Sequence, residues 1–118
     1  MPQILLELSH NIIEKDVNEA LLEIHTILSE KLPTQLRSCK TRVVRQEHFL
    51  IGGGEKNNAF VYLSIGVIKG RSQEQLNAIG LMLMDVLKKA FQQSVSSLDV
   101  QLTVAIQDLP EVYLRYSP

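Results

Sequence analysis

The hydrophobic period of this chain switches from strand-like to helix-like and back, and then does so again. In Gln3 to Ser9, the residues Ile4, Leu6 and Leu8 point to one side of an extended strand and Leu5 to the other. A polar connection leads to Asp16-Val17-Asn18-Glu19, which predicts a helix start, with Asp16 capping the first turn and Glu19 reaching back. Val17, Ala20, Leu21, Ile24, Ile27, Leu28 and Leu32 then follow at steps of three and four, forming one stripe. Glu19, Glu23 and Glu30 fall mainly off it, and Pro33 ends the helix. A second strand is expected within Lys40 to Ile51, and Gly52-Gly53-Gly54 with Glu55-Lys56-Asn57-Asn58 forms a turn.

The plan then repeats. Ala59 to Val67 is rich in strand formers, and Lys69-Gly70-Arg71 turns the chain. Ser72 and Gln75 have capping-box spacing ahead of a long helix whose stripe is Leu76, Ile79, Gly80, Leu83, Val86, Leu87, Ala90 and Phe91. Val100 to Ile106 alternates as a strand, and the tail with Tyr113, Leu114 and Tyr116 is expected to pack on something. The expectation is one α+β domain over residues 1–118, with repeat-like halves at about 1–54 and 55–118. Right-handed crossovers would give two βαβ units, joined as a four-stranded mixed sheet with two helices on one face. Leu5, Phe60, Tyr62 and Ile68 then lack helical cover, which predicts an oligomer whose sheets face one another.

Composition narrows the function. A net charge of −1 argues against a nucleic-acid partner. The single cysteine, Cys39, allows no internal disulfide, and fits a reducing, cytoplasmic setting. The chain start lacks the pattern of a signal peptide, and no apolar run approaches the ~20 residues that span a bilayer, so no membrane partner is expected. His10, His25 and His48 lack metal-ligand spacing, so no metal is expected. The triple glycine lacks the Lys-Ser/Thr of a phosphate loop. Glu7 could orient a base at the first strand, although an outward polar residue is the simpler account, and Met82 and Met84 read as packing groups.

Two features bear on chemistry. Pro2 stands at the head of the first strand; with Met1 trimmed, its nitrogen is a secondary amine near neutral titration, a base on a rigid ring. If Met1 stays, that nitrogen is an amide without useful basicity. Between Leu36 and Arg45, the cations Arg37, Lys40, Arg42 and Arg45 meet no acidic residue. Lys40 and Arg42 share one face of an extended strand, a pattern that also suits a solvated edge strand.

Pro2 at the head of a strand, two βαβ units and Lys69-Gly70-Arg71-Ser72-Gln73-Glu74-Gln75 after the third strand resemble the tautomerase superfamily. Ser9, Asn11, Arg42-Val43 and Ala59-Phe60-Val61 before Gly70-Arg71-Ser72 resemble its 5-carboxymethyl-2-hydroxymuconate isomerase family over nearly the whole chain. The resemblance implies a cofactor-independent isomerase of aromatic-compound breakdown, acting on a small anionic carboxylate and built as a homotrimer with sites where subunits meet. Pro2 would be the general base, and Arg42 and Arg71 would bind carboxylate. Lys40 is a weaker candidate, standing where the family often has arginine. Gln101 corresponds to Arg42 in the second half, so one site per chain is expected. A non-catalytic oligomeric module of the same architecture stays open, as does different chemistry at the same amine, such as keto–enol exchange of phenylpyruvate-like acids or hydrolytic dehalogenation.

Overall fold

The computed structural model describes residues 1–118. Its strands are β1 (Gln3–Ser9), β2 (Lys40–Gln46), β3 (Asn58–Val67) and β4 (Asp99–Asp108); its helices are α1 (Asn18–Lys31), α2 (Gln73–Ala90) and a short α3 (Gln92–Ser97). The four-stranded sheet has the order β2-β1-β3-β4. β1 runs parallel to β2 and β3 parallel to β4, while β1 and β3 are antiparallel at the centre. The expected α+β architecture of two βαβ units is therefore present, and the basic strand β2 is an edge.

Alternation sets the two faces. Ile4, Leu6 and Leu8 of β1 and Ala59, Val61, Leu63, Ile65 and Val67 of β3 are buried beneath the helices. Ile24 and Leu28 of α1 and Ile79, Leu83 and Leu87 of α2 cover them, with Phe91 fully buried where α2 gives way to α3. Deleting one such side chain costs about 2–5 kcal/mol. The opposite face has no helical cover. Its apolar residues Leu5, Phe60 and Tyr62 are interleaved with Gln3, Glu7 and Ser64, so it is more mixed than an apolar patch.

Local details depart from expectation. Asp16 Oδ1 accepts from Asn18 N at 3.0 Å, so it closes a turn just ahead of α1 while Val17 stands at the helix boundary without a side-chain cap. Ser72 caps α2 as expected, accepting from Gln75 N at 3.1 Å, but the Gln75 side chain does not return the bond; its Nε2 donates to Lys31 O at 3.2 Å. Ser9 and Asn11 tie the far end of β1 to β3: Phe60 N donates to Ser9 Oγ at 2.9 Å and Asn11 Nδ2 to Asn58 O at 2.8 Å. No helix is long and apolar enough to cross a membrane.

Candidate active site

The amino terminus lies at the end of the sheet where β1 and β2 begin together. Pro2 is buried, and its carbonyl accepts from Lys40 N at 3.4 Å, extending the β1–β2 ladder by one step. Strand alternation puts the ring on the helix-covered side, with Ile4. The titratable group here is the α-amine of Met1, one residue ahead of the Pro2 nitrogen. Its pKa is lowered from 8.0, first by burial and then by the charge of Arg71; Cys39 opposes the shift, and Arg115 and Lys40 add to it. An amine so placed gives up its proton more easily than one in free solution.

Arg71 reaches this end from the turn between β3 and α2. Gly70, at φ +118° and with open space where a Cβ would stand, takes a backbone conformation that other residues avoid, and so reverses the chain ahead of Arg71. The guanidinium then donates to Ile68 O at 3.1 Å and to Leu32 O at 2.9 Å. With Gln75 on Lys31 O, it satisfies carbonyls that the end of α1 leaves unpaired, where positive charge is also favoured. Arg71 thus clasps α1 to the turn before α2 while its field falls on the amine.

Lys40 is exposed beside the chain start, and its Nζ donates to Ser38 O at 3.4 Å. Arg42 is exposed on the uncovered face, with its Cα level with Leu5 and its Nη1 donating to Gln3 Oε1 at 2.6 Å. It is not among the charges acting on the amine. Pro2, Arg71 and Lys40 are therefore gathered at the chain start, whereas Arg42 approaches it only through Gln3. Arg45 lies apart: its Nη2 donates to Glu14 O at 2.5 Å.

Sequence reasoning missed Arg115, whose charge acts on the amine from the tail, and Cys39, a buried thiol beside it. Burial raises the Cys39 pKa from 9.0, against the pull of the amine and Lys40. The one available signal was the expected docking of the tail, which named no partner. Glu7 bonds Gln46 at 2.8 Å. It stands roughly 13 Å along β1 from Gln3 at strand rise, too far to orient a base at the chain start. No three His, Cys, Asp or Glu side chains come together as a metal site. His25 Nε2 pairs with Thr41 Oγ1 at 2.6 Å, and His10 and His48 are exposed.

The family model described as 5-carboxymethyl-2-hydroxymuconate isomerase matches residues 2–116. No curated protein matches the chain. Among solved structures, a 5-carboxymethyl-2-hydroxymuconate isomerase from Deinococcus radiodurans R1 is 23% identical, with a TM-score of 0.87 over 98% of this chain and 88% of that one. A 5-carboxymethyl-2-hydroxymuconate delta-isomerase is 18% identical, with a TM-score of 0.84 over 100% of this chain and 89% of that one. A fused 4-OT wild type, solved as a symmetric trimer, is 16% identical, with a TM-score of 0.73 over 98% of this chain and 91% of that one. At these identities the structures establish a shared fold.

Proposed function

The chain belongs to the 5-carboxymethyl-2-hydroxymuconate isomerase family, and we propose that it is a cofactor-independent isomerase that moves a proton within a small 2-hydroxy-dienoate. In this reading Pro2 is the general base of a mature chain that begins at its ring nitrogen. The nitrogen removes the enol O–H proton, the oxygen electron pair becomes the new C=O bond, and the double bonds shift. The same proton is returned to a distal carbon, so the product is an α,β-unsaturated ketone of unchanged composition.

The observation that carries the proposal is the cationic, desolvated end of the sheet around the terminal amine. Burial, Arg71, Arg115 and Lys40 outweigh Cys39 in lowering the pKa of the Met1 amine, and a Pro2 amine one residue on would meet the same cations and gain the neutral form a base requires. The same cations suit an anionic substrate, and Arg71 retains guanidinium N–H groups beyond the two that hold backbone carbonyls. Arg71 is assigned to one carboxylate, with Lys40 as a weaker point charge. Arg42 is assigned to the second carboxylate, since it stands on the uncovered face away from the amine. That uncovered face also suits a homotrimer, with sites completed where subunits meet.

The test follows 2-hydroxymuconate by absorbance with two forms of the protein, one beginning at Pro2 and one retaining Met1. The Pro2 form is expected to turn over and the Met1 form to be slower by about 10²-fold or more, because an amide nitrogen cannot accept the proton. Arg71→Ala in the Pro2 form is expected to move the acidic limb of the kcat/KM profile to higher pH, toward the ordinary value of 8.0 for an α-amine. Equal rates for the two forms, or an unmoved limb, would remove the base from Pro2 or the tuning role from Arg71.

A further inference from the structure

The segment after β4 crosses the uncovered face at the end where the chain starts. Leu109 N donates to Val67 O at 2.7 Å, and the Leu109 side chain lies on Gly66, where an added Cβ would come within 2.6 Å of Leu109 Cδ2. Gly66 is thus the gap in β3 through which the segment passes, and its register partner on β1 is Gln3. An exposed ion pair, Lys69 Nζ to Glu111 Oε1 at 2.8 Å, steadies the crossing weakly. The segment then reaches β1, where Tyr113 OH accepts from Gln3 Nε2 at 2.8 Å.

Gln3 therefore joins Tyr113 on one side to Arg42 on the other, its Oε1 accepting from Arg42 Nη1 at 2.6 Å. The direction of this relay is fixed by chemistry. A guanidinium only donates, so it must meet the carbonyl end of the amide, and the NH2 end must face the phenol. The phenol oxygen accepts, which holds the amide in that orientation. Without the relay, Arg42 is an exposed and flexible side chain whose Cα stands level with Leu5. With it, the guanidinium is tied to Gln3, two residues nearer the chain start than Leu5.

We propose that Gln3 and Tyr113 are positioning residues, holding the Arg42 guanidinium toward the amine end of the sheet so that it meets the substrate carboxylate farther from the one held by Arg71. The inference rests on the assignment of Arg42 made above, and makes the tail a determinant of preference for dicarboxylates over monocarboxylates.

The experiment measures binding, so that it does not depend on turnover. Calorimetric titrations with cis,cis-muconate, a dicarboxylate lacking the enol hydroxyl, and with phenylpyruvate, a monocarboxylate, compare the parent with Tyr113→Phe, Gln3→Met, Arg42→Ala and Tyr113→Phe/Arg42→Ala. Arg42→Ala is expected to weaken muconate by about 10- to 100-fold, and Tyr113→Phe and Gln3→Met by about 2- to 10-fold, as for charged and neutral hydrogen bonds. Phenylpyruvate affinity and thermal unfolding should hardly move, a pattern that general loosening of the tail would not give. In the double variant, loss of the phenol should add nothing to loss of the guanidinium.

The proposal is overturned if Tyr113→Phe binds muconate like the parent, if its effect multiplies with that of Arg42→Ala, or if both ligands weaken alike. An unmoved Arg42→Ala, or a parent that does not bind muconate, removes the carboxylate assignment and this inference with it. A parent that binds muconate but fails to turn over 2-hydroxymuconate overturns the isomerase reading alone.

Discussion

In the β1–α1–β2 half, Gln3 pairs with Lys40 and Leu5 with Arg42; in the β3–α2–β4 half, Asn58 pairs with Asp99 and Phe60 with Gln101. The residue ahead of each leading strand is used alike: Pro2 O accepts from Lys40 N at 3.4 Å, and Asn57 O accepts from Asp99 N at 2.9 Å. The frame is thus repeated, but the cations of the first half become an acid and an amide in the second. Pro2 lies next to the chain start, whereas Asn57 follows a glycine turn. All three groups whose proton affinity is clearly shifted, the amine, His25 and Cys39, lie in the first half. The two strand–helix–strand units therefore share one frame and differ in the charges and the chain end placed at its mouth.

The largest break in this comparison comes from the paired positions Pro2 and Asn57. Pro2→Ala is expected to lower kcat/KM for 2-hydroxymuconate by about 10²-fold or more, since it replaces the ring that aims the base. Asn57→Ala keeps the backbone carbonyl that accepts from Asp99 N, and should leave the rate unchanged. Comparable losses at both sites would mean that the halves share the chemistry.

A smaller effect is expected from exchanging charges between the halves. Lys40→Asp copies the second half, turns an attraction for anions into repulsion, and raises the amine pKa. It should raise KM by about two- to fivefold, the scale of an exposed charge. Asp99→Lys should leave KM as it is. Steady-state kinetics on both variants would show whether the asymmetry of charge matters or only the chain end.

The smallest effect is on stability against pH. The amine and His25 are charged when protonated, and burial leads in lowering both pKa values, from 8.0 and 6.5. The folded state then binds fewer protons than the unfolded chain, so stability should rise with pH up to those values. Cys39 acts at the other end. Its pKa is raised from 9.0, so the folded state keeps a proton that the unfolded chain releases, and stability should fall as pH rises beyond 9.0. Urea midpoints from about pH 5 to about pH 10 should trace a dome, and His25→Gln should flatten its acidic side below 6.5. A dome unchanged in that variant would place its acidic side elsewhere.

Period and punctuation made the frame legible. The stripe from Val17 to Leu32 is the packed face of α1, alternation in β1 and β3 sorted core from uncovered face, and Ser72 announced α2. The strand that holds Lys40 and Arg42 is an edge, as the alternative reading of its cations expected. Local rules failed where distant groups decide. Glu14 accepts from Gln93 N at 2.9 Å and from Ser94 N at 3.2 Å, so the separate turn of α3 depends on a residue in the loop after β1. Gln75 had the spacing to close a capping box, but the end of α1 claims its amide. Arg71 looked free for a ligand, yet it also serves the carbonyls of Leu32 and Ile68. Arg115 and Tyr113 carry no periodic signal, because their places follow from Leu109 passing over Gly66.

Gln3 and Tyr113 lie 110 positions apart, yet they share one hydrogen bond. A chain leaving the ribosome can pair β1 with β2 early, but it must wait for nearly its last residues before this contact closes. The contact of phenol with amide is therefore among the most non-local in the chain, one that closes a loop of almost the whole polypeptide. Synthesis that stops short of Tyr113 leaves a nascent product with the sheet already encoded and the tail's bond to Gln3 missing.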